Sequence, residues 1–411
     1  MAFLTMKTLH KALDEMQAGF AHVALEREVV GVDSSCKRVV AEDVLACEEA
    51  PAFDRSCVDG YAIISGDTFG ASESVPCFLK ILPPAQMGKL TYADIRRGEA
   101  LYVPTGAQIP TSADAVVMAE YCEELSADTL AVNHALAPNT NIMRRGDDCK
   151  AKSLLIARGT RITPVHIGIM IAGGTTHLQT YKMPVCAIIS TGDELVGIGE
   201  MLPPGCIRDI NAHMIGAELE AFGCRVERKV IVKDSFDEIR SAIQSALTAA
   251  DLVVMSGGTS VGDKDYTFQA IESIERGSVF VHGLAVKPGK PTIFANVGGK
   301  PVFGLPGQSV SAYIVYKAVV QYYLETLCGS RPSVGGAPHL VAKLSANVHS
   351  TPGKLTFQAV RLRYEGGGFS AEPMYGKSGL ISHLTDSDGL IIIDEKSEGL
   401  QSGEMVDVVC L

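Results

Sequence analysis

The chain has 411 residues, 46% of them hydrophobic, with a formal net charge of −11 and a pI near 5.4. That length holds two to four domains with real cores, and the acidic balance argues against a general nucleic-acid binder, so any anionic ligand must be held by local positive groups. The eleven cysteines are scattered, no two within five residues, which excludes CxxC pairs, and their odd number argues against a secreted disulfide framework. Lys7, His10 and Lys11 sit in a helical pattern and not in a signal peptide, and Lys317 and Gln321 interrupt the best apolar run after Ser311. The expectation is a soluble, cytoplasmic protein without a membrane span.

Residues 4–20 predict a helix with Leu9, Leu13 and Met16 on one face. β-like runs follow at Val29–Val32 and Val39–Leu45. Next comes a glycine-punctuated stretch from Pro51 to Ala62, in which Asp59-Gly60 alone predicts a turn. Short strands at Pro76–Leu82, Ala100–Val103, Ala115–Tyr121 and Thr129–Val132 suggest a small β-domain inserted into the N-terminal part. Asn141–Asp148, with Arg144, Arg145, Asp147 and Asp148, reads as a mixed-charge loop for which solvation is sufficient explanation.

Near Lys182 the pattern becomes α/β. A strand at Val185–Ser190 leads into Thr191-Gly192-Asp193-Glu194, a helix at Ile210–Phe222 ends at Gly223, and Arg225–Val232 and Ser235–Ala250 read as strand and helix. This alternation predicts a doubly wound parallel α/β domain. The buried strand Leu252–Met255 opens into Ser256-Gly257-Gly258-Thr259-Ser260, where glycines let backbone N–H groups approach an anion. Asp265 then starts a helix carrying Phe268, Ile271 and Ile274. Lys287-Pro288-Gly289-Lys290 predicts a type II turn, which brings its ends within about 7 Å. The two ammonium groups repel unless solvent or an anion lies between them. A lone turn of this kind is more often a solvated surface feature; beside the glycine loop it favours an anion site. Gly304-Leu305-Pro306-Gly307 feeds a helix at Gln308–Leu327, whose N-terminus is a second anion-friendly place. Strands at His339–Val348, Leu355–Tyr364, Leu390–Asp394 and Met405–Leu411 predict a small C-terminal β-barrel or sandwich.

Five stretches, in order, carry a resemblance: Pro51–Ala62, Ser190-Thr191-Gly192-Asp193-Glu194-Leu195, Ser256–Thr267, Lys287–Pro291 and Gly304–Gly307. Together they resemble the molybdopterin molybdotransferase (molybdenum insertase) family, MoeA and the gephyrin E domain, over nearly the whole chain. The resemblance implies a homodimer of four-domain subunits: a discontinuous elongated domain at 1–51 and 149–182, an inserted β-domain at 52–148, a doubly wound molybdopterin-binding domain at 183–329 and a β-barrel at 330–411. It implies insertion of molybdate, a substrate, into adenylylated molybdopterin with release of AMP in a Mg²⁺-dependent step. The implied partners are the molybdopterin adenylyltransferase and acceptor molybdoenzymes, with no nucleic acid and no membrane. The implied catalytic residues are Asp59, Glu194, Asp234 and Asp265, with Asp234 and Asp265 on the metal. The implied substrate and anion residues are Thr105, Asp148, Gly257, Gly258, Ser260, Lys287, Lys290 and Ser378.

Each has a plainer account: Asp265 and Asp234 could be helix caps, Glu194 a turn acid, Ser378 a loop hydroxyl. The chain also departs from the family. Arg55-Ser56 stands for Asn-Ser, Gly307-Gln308-Ser309-Val310-Ser311 for Gly-Asn-Pro-Val-Ser, where Ser309 could still cap, and Ala359 for an arginine, with Arg361 on the same strand face. These departures favour a rival, a diverged paralogue that binds molybdopterin or a partner without turnover. An adenylyltransferase is the other rival, and a tungstate-specific insertase is a variant of the leading reading.

Overall fold

The computed structural model describes residues 6–89, 94–258, 266–329 and 339–411. The chain divides into two compact units, Val29–Cys36 with Glu42–Gln179, and Met1–Glu28 with Lys37–Ala41 and Thr180–Leu411.

In the smaller unit, among the described residues, a six-stranded sheet runs in the order Ala115–Met118, Gly60–Ile63, Glu99–Val103, Cys77–Leu82, Thr129–Val132, Cys122–Ser126. Alternate residues feed two cores: Tyr61, Ile63, Val117 and Leu130 on one, Ala62, Leu101, Val103 and Val116 on the other. Asp59-Gly60 is not a turn. Gly60 opens a central strand paired with Val103 and Met118, and a Cβ there would meet the Val117 carbonyl oxygen at 1.9 Å. The Asn141–Asp148 loop is tied by charge and not simply solvated. Arg144 Nη1 and the Arg145 N–H reach the two oxygens of Asp54 at 2.5 and 2.8 Å, and Arg145 pairs with Glu49.

The larger unit begins with α1 (Leu9–Gly19), which starts where the Thr8 hydroxyl accepts the Lys11 N–H, and buries Leu9, Leu13 and Met16 as the spacing predicts. Its main sheet contains β1 (Val185–Thr191), β2 (Arg225–Val232), β3 (Leu252–Ser256), β4 (Gly277–His282), β5 (Ile293–Val297) and β6 (Lys300–Leu305), in the order β2-β1-β3-β6-β5-β4. Helices α2 (Asn211–Phe222), α3 (Phe236–Ala249) and α4 (Tyr266–Ser273) follow β1, β2 and β3. Both faces are covered. Cys186, Ile188, Leu252 and Val254 pack with α1 and α2, while Ala187, Ile189, Val253 and Met255 pack with α3 and α4. Burial on both sides is why these strands read as continuous apolar runs.

The predicted parallel sheet holds for β2, β1, β3 and β6. The β6–β5 and β5–β4 pairs are antiparallel. Gly298 and Gly299, both at positive φ, are the only residues between β5 and β6, which suffices for a hairpin and not for a crossover. The C-terminal strands β7 (His339–Leu344), β8 (Leu355–Glu365), β9 (Gly368–Pro373), β10 (Gly389–Ile393) and β11 (Met405–Cys410) close into a barrel, β8-β9-β7-β11-β10-β8. This settles barrel over sandwich. Strand β9 was not predicted; a tight Gly366-Gly367 turn folds it back on β8. Among the described residues no helix is long and apolar enough to cross a membrane.

Candidate active site

Strands β1, β3 and β6 are neighbours and parallel, so the loops after Thr191, Ser256 and Leu305 emerge at one edge of the sheet. Carboxyl ends of parallel strands are where α/β domains bind ligands. A cleft of about 1030 Å³ opens there. Glycine is required in the loop after β3. Gly257 and Gly258 have φ of +89° and +65°, and a Cβ on Gly257 would lie 2.4 Å from the Thr191 carbonyl oxygen. On Gly258 it would lie 2.6 Å from the hydroxyls of Thr191 and Thr267. Asn211 at the start of α2 clamps this edge, donating from Nδ2 to Ser256 Oγ and to the Gly307 carbonyl, both at 2.8 Å. Asn211 was missed from the sequence, where an asparagine opening a helix reads as a local capping residue.

Glu194, Asp209 and Asp234 bring carboxylates to the cleft. Asp209 is buried and accepts the Ala212 N–H, which anchors α2. Asp234 is not a cap: that role belongs to Ser235, whose hydroxyl accepts the Glu238 N–H at 3.3 Å. Burial raises the Asp234 pKa above the ordinary carboxylate range, the Thr191 hydroxyl pulls it back, and the charges of Asp193 and Glu194 raise it further.

Opposite charge comes from Arg208, Lys287, Lys290 and Lys354. The Lys287–Pro288 peptide is cis, and the turn departs from type II at Gly289, whose φ is +124° where a type II turn has about +80°. Here the segment is held by parallel pairing of Val286 and Lys287 with Leu355 and Thr356 of β8, and by the Lys290 carbonyl, which accepts from the N–H groups of Leu284 and Thr292. Both lysines are exposed, both line the cleft, and among the described residues neither ammonium group has an ion-pair partner.

Ser378 lines the same cleft, its hydroxyl donating to Gln308 Oε1 while its carbonyl accepts the Val310 N–H at 3.1 Å. Gln308, and not Ser309, is the N-cap of the helix that follows; Ser309 is its first residue and buried. That helix, Ser309–Val315, continues through a π turn, Tyr316–Gln321, to Leu327. Arg361 does not take the place of an arginine at position 359. Its Nε donates to the Asp386 carbonyl at 3.1 Å, its guanidinium lies 4.0 Å from the Asp386 carboxylate, and neither Ala359 nor Arg361 lines the cleft.

The cleft thus gathers Glu194, Asp234, Gly257, Gly258, Lys287, Lys290 and Ser378. Ser260 and Asp265 lie outside the described residues. Asp59, Thr105 and Asp148 belong to the smaller unit. There Asp59 Oδ1 accepts the Thr105 N–H at 2.7 Å, and the Asp148 N–H donates to the Ala50 carbonyl. Arg55, in the same unit, places its guanidinium on the Met143 sulfur at 3.2 Å. Among the described residues no three His, Cys, Asp or Glu side chains converge as a ready-made cation cage.

A glycine loop, lysines and carboxylates at the carboxyl edge of a parallel sheet, joined to a β-barrel, define an anion-handling α/β protein. Comparison with known proteins makes this particular. The chain matches the MoeA N-terminal region (domain I and II) over residues 7–174, a probable molybdopterin binding domain over 187–326, and the MoeA C-terminal region (domain IV) over 341–411. It belongs to the MoeA family. The molybdopterin molybdenumtransferase of Staphylococcus epidermidis is 30% identical, over 94% of this chain and 92% of that protein. The enzyme of that name from Bacillus subtilis is 29% identical, over 94% and 90%. Crystal structures of the molybdopterin biosynthesis MoeA protein from Pyrococcus horikoshii superpose with TM-scores of 0.83, at 27% identity over 99% of this chain and 100% of that one, and 0.76, at 33% identity over 99% of both.

Proposed function

We propose that the chain is a molybdopterin molybdenumtransferase that inserts molybdate into adenylylated molybdopterin and releases AMP with the help of Mg²⁺, working as a homodimer. Its role in molybdenum cofactor biosynthesis follows from its family. The observation that carries the reading is one cleft lined by Lys287 and Lys290, by Glu194 and Asp234, and by a glycine loop. Lysines and backbone N–H groups suit an oxyanion or a phosphate.

The donor set also fits Mg²⁺. Mg²⁺ takes one or two carboxylates and completes its shell with water and phosphate oxygens. Burial raises the Asp234 pKa most, and the charges of Asp193 and Glu194 add a like-charge repulsion of the kind a divalent cation relieves. Asp234 and Glu194 would hold it, with Asp265, and when bound it supplies charge neutralisation at the phosphoanhydride. Lys287 and Lys290 hold the incoming oxyanion, and the 257–258 loop positions the nucleotide phosphate. A water oxygen forms the new bond at the AMP phosphorus as the phosphoanhydride P–O bond breaks, so AMP leaves and molybdopterin keeps its own phosphate. The two dithiolene sulfurs bond to molybdenum in place of one molybdate oxygen, which departs as water with the two thiol protons.

The test is incubation of the protein with adenylylated molybdopterin, Mg²⁺ and either molybdate or tungstate, following AMP and metal in the pterin. AMP release that needs both Mg²⁺ and oxyanion is expected. Pterin binding without AMP release would identify the non-catalytic paralogue, and consumption of ATP an adenylyltransferase.

A further inference from the structure

The contact between Gln308 and Ser378 decides which of the two can give a proton to an anion in the cleft. Gln308 is exposed, caps the helix that begins at Ser309 and lines the cleft, as does Ser378. The Ser378 hydroxyl donates to Gln308 Oε1, and two residues further the Val310 N–H donates to the Ser378 carbonyl. Ser378 is therefore fixed through both its side chain and its backbone. A serine hydroxyl carries one proton. With that proton committed to Gln308, Ser378 offers an anion only lone pairs.

The other end of the glutamine is in the opposite condition. A carboxamide is planar, so anchoring Oε1 also fixes Nε2, which carries two donors. Among the described residues Nε2 has no hydrogen-bond partner. Gln308 lines the same cleft as Lys287 and Lys290, whose ammonium groups have no ion-pair partner among the described residues. We infer that Gln308, and not Ser378, is the neutral hydrogen-bond donor to the oxyanion substrate in this chain, with Ser378 as the residue that positions its amide. An asparagine, one methylene shorter, would draw the amide back from Ser378 and release the hydroxyl. The residue at this position then sets which group recognises the anion.

This inference rests on the reading of the cleft as an oxyanion site. It is tested by calorimetric titration of sodium molybdate into the full chain and into Gln308→Ala, Gln308→Glu, Ser378→Ala and the Gln308→Ala/Ser378→Ala double variant, with melting temperatures measured alongside. Gln308→Ala should weaken molybdate binding roughly tenfold or more, as for one hydrogen bond to a charged group. Ser378→Ala alone should cost less, whereas in the Gln308→Ala background, where the Ser378 hydroxyl is released, it should cost a further loss. Gln308→Glu keeps the acceptor for Ser378 and replaces the donor by an anion, so it should lose molybdate without a lower melting temperature. A loss for Ser378→Ala equal to or larger than that for Gln308→Ala, with wild-type binding intact, overturns the assignment to Gln308 alone. Absence of molybdate binding by the wild type overturns the reading of the cleft and this inference with it.

Discussion

Asp54 and Asp234 sit on opposite sides of the ordinary carboxylate pKa, for opposite reasons. Burial pushes Asp54 up, but the Arg145 N–H and the Arg144 guanidinium outweigh it and hold the carboxyl low. Asp234 is raised by burial and by its acidic neighbours. A lowered carboxyl stabilises the fold above its unfolded pKa, near 3.9, and loses that contribution as pH falls through the folded value. A raised one stabilises below the unfolded pKa and loses the contribution as pH rises through the folded value. Asp54→Asn should therefore lower the melting temperature at pH 7, with the deficit closing in acid. Asp234→Asn should raise it at pH 7, again converging in acid, while abolishing AMP release. Melting curves from pH 3 to pH 8 check both signs. Lys287→Met should weaken molybdate or nucleotide binding by roughly 1.5–3 kcal/mol, the range for a hydrogen bond to a charged group. Calorimetry showing equal affinities would return the turn to plain solvent.

At the scale of elements, the cap and the site acid next to α3 can be separated. Ser235→Ala should destabilise the protein by about 1 kcal/mol in urea denaturation, as for a lost N-cap, and leave turnover per folded molecule intact. Asp234→Ala should do the reverse. The elements themselves were largely legible. Cys186–Ile189 and Leu252–Met255 announce strands covered on both faces, and Gly223 marks the end of α2 at φ +108°. What was not legible depends on partners distant in sequence. Gly60 looks like half of a turn until the Val117 carbonyl is placed against it. Asn211 looks like a capping residue until Ser256 and Gly307 arrive beside its amide. Gly289 takes its φ of +124° packed against Val286 and Val315, so the two lysines are legible in the sequence and the form of their turn is not. Among the candidate site residues, Glu194, Asp234, Gly257 and Gly258 line one cleft because each follows a strand of the main sheet, whereas Lys287 and Lys290 reach it from a segment paired with β8 and Ser378 from the C-terminal part of the chain.

For the whole molecule, the division into two units predicts independent folding. Among the described residues, the two cores that flank the sheet of the smaller unit draw on residues 58–142, all within that unit. A fragment of residues 29–179 should melt cooperatively by circular dichroism; a broad, non-cooperative loss of signal would contradict it. The larger unit has a different lesson in the pairing of Val286–Lys287 with Leu355–Thr356. The lysine turn is anchored by a strand encoded far downstream, and Lys354 and Ser378 come from that same distal part of the chain. In genetic terms, the glycine loop and the two lysines do not make an autonomous cistron. A stop codon in place of Lys354 should give a null allele and not a leaky one, although every residue of the 251–307 stretch is still translated. Complementation between two separately expressed halves should succeed only when the second half begins upstream of the Leu355 strand and pairs with the first.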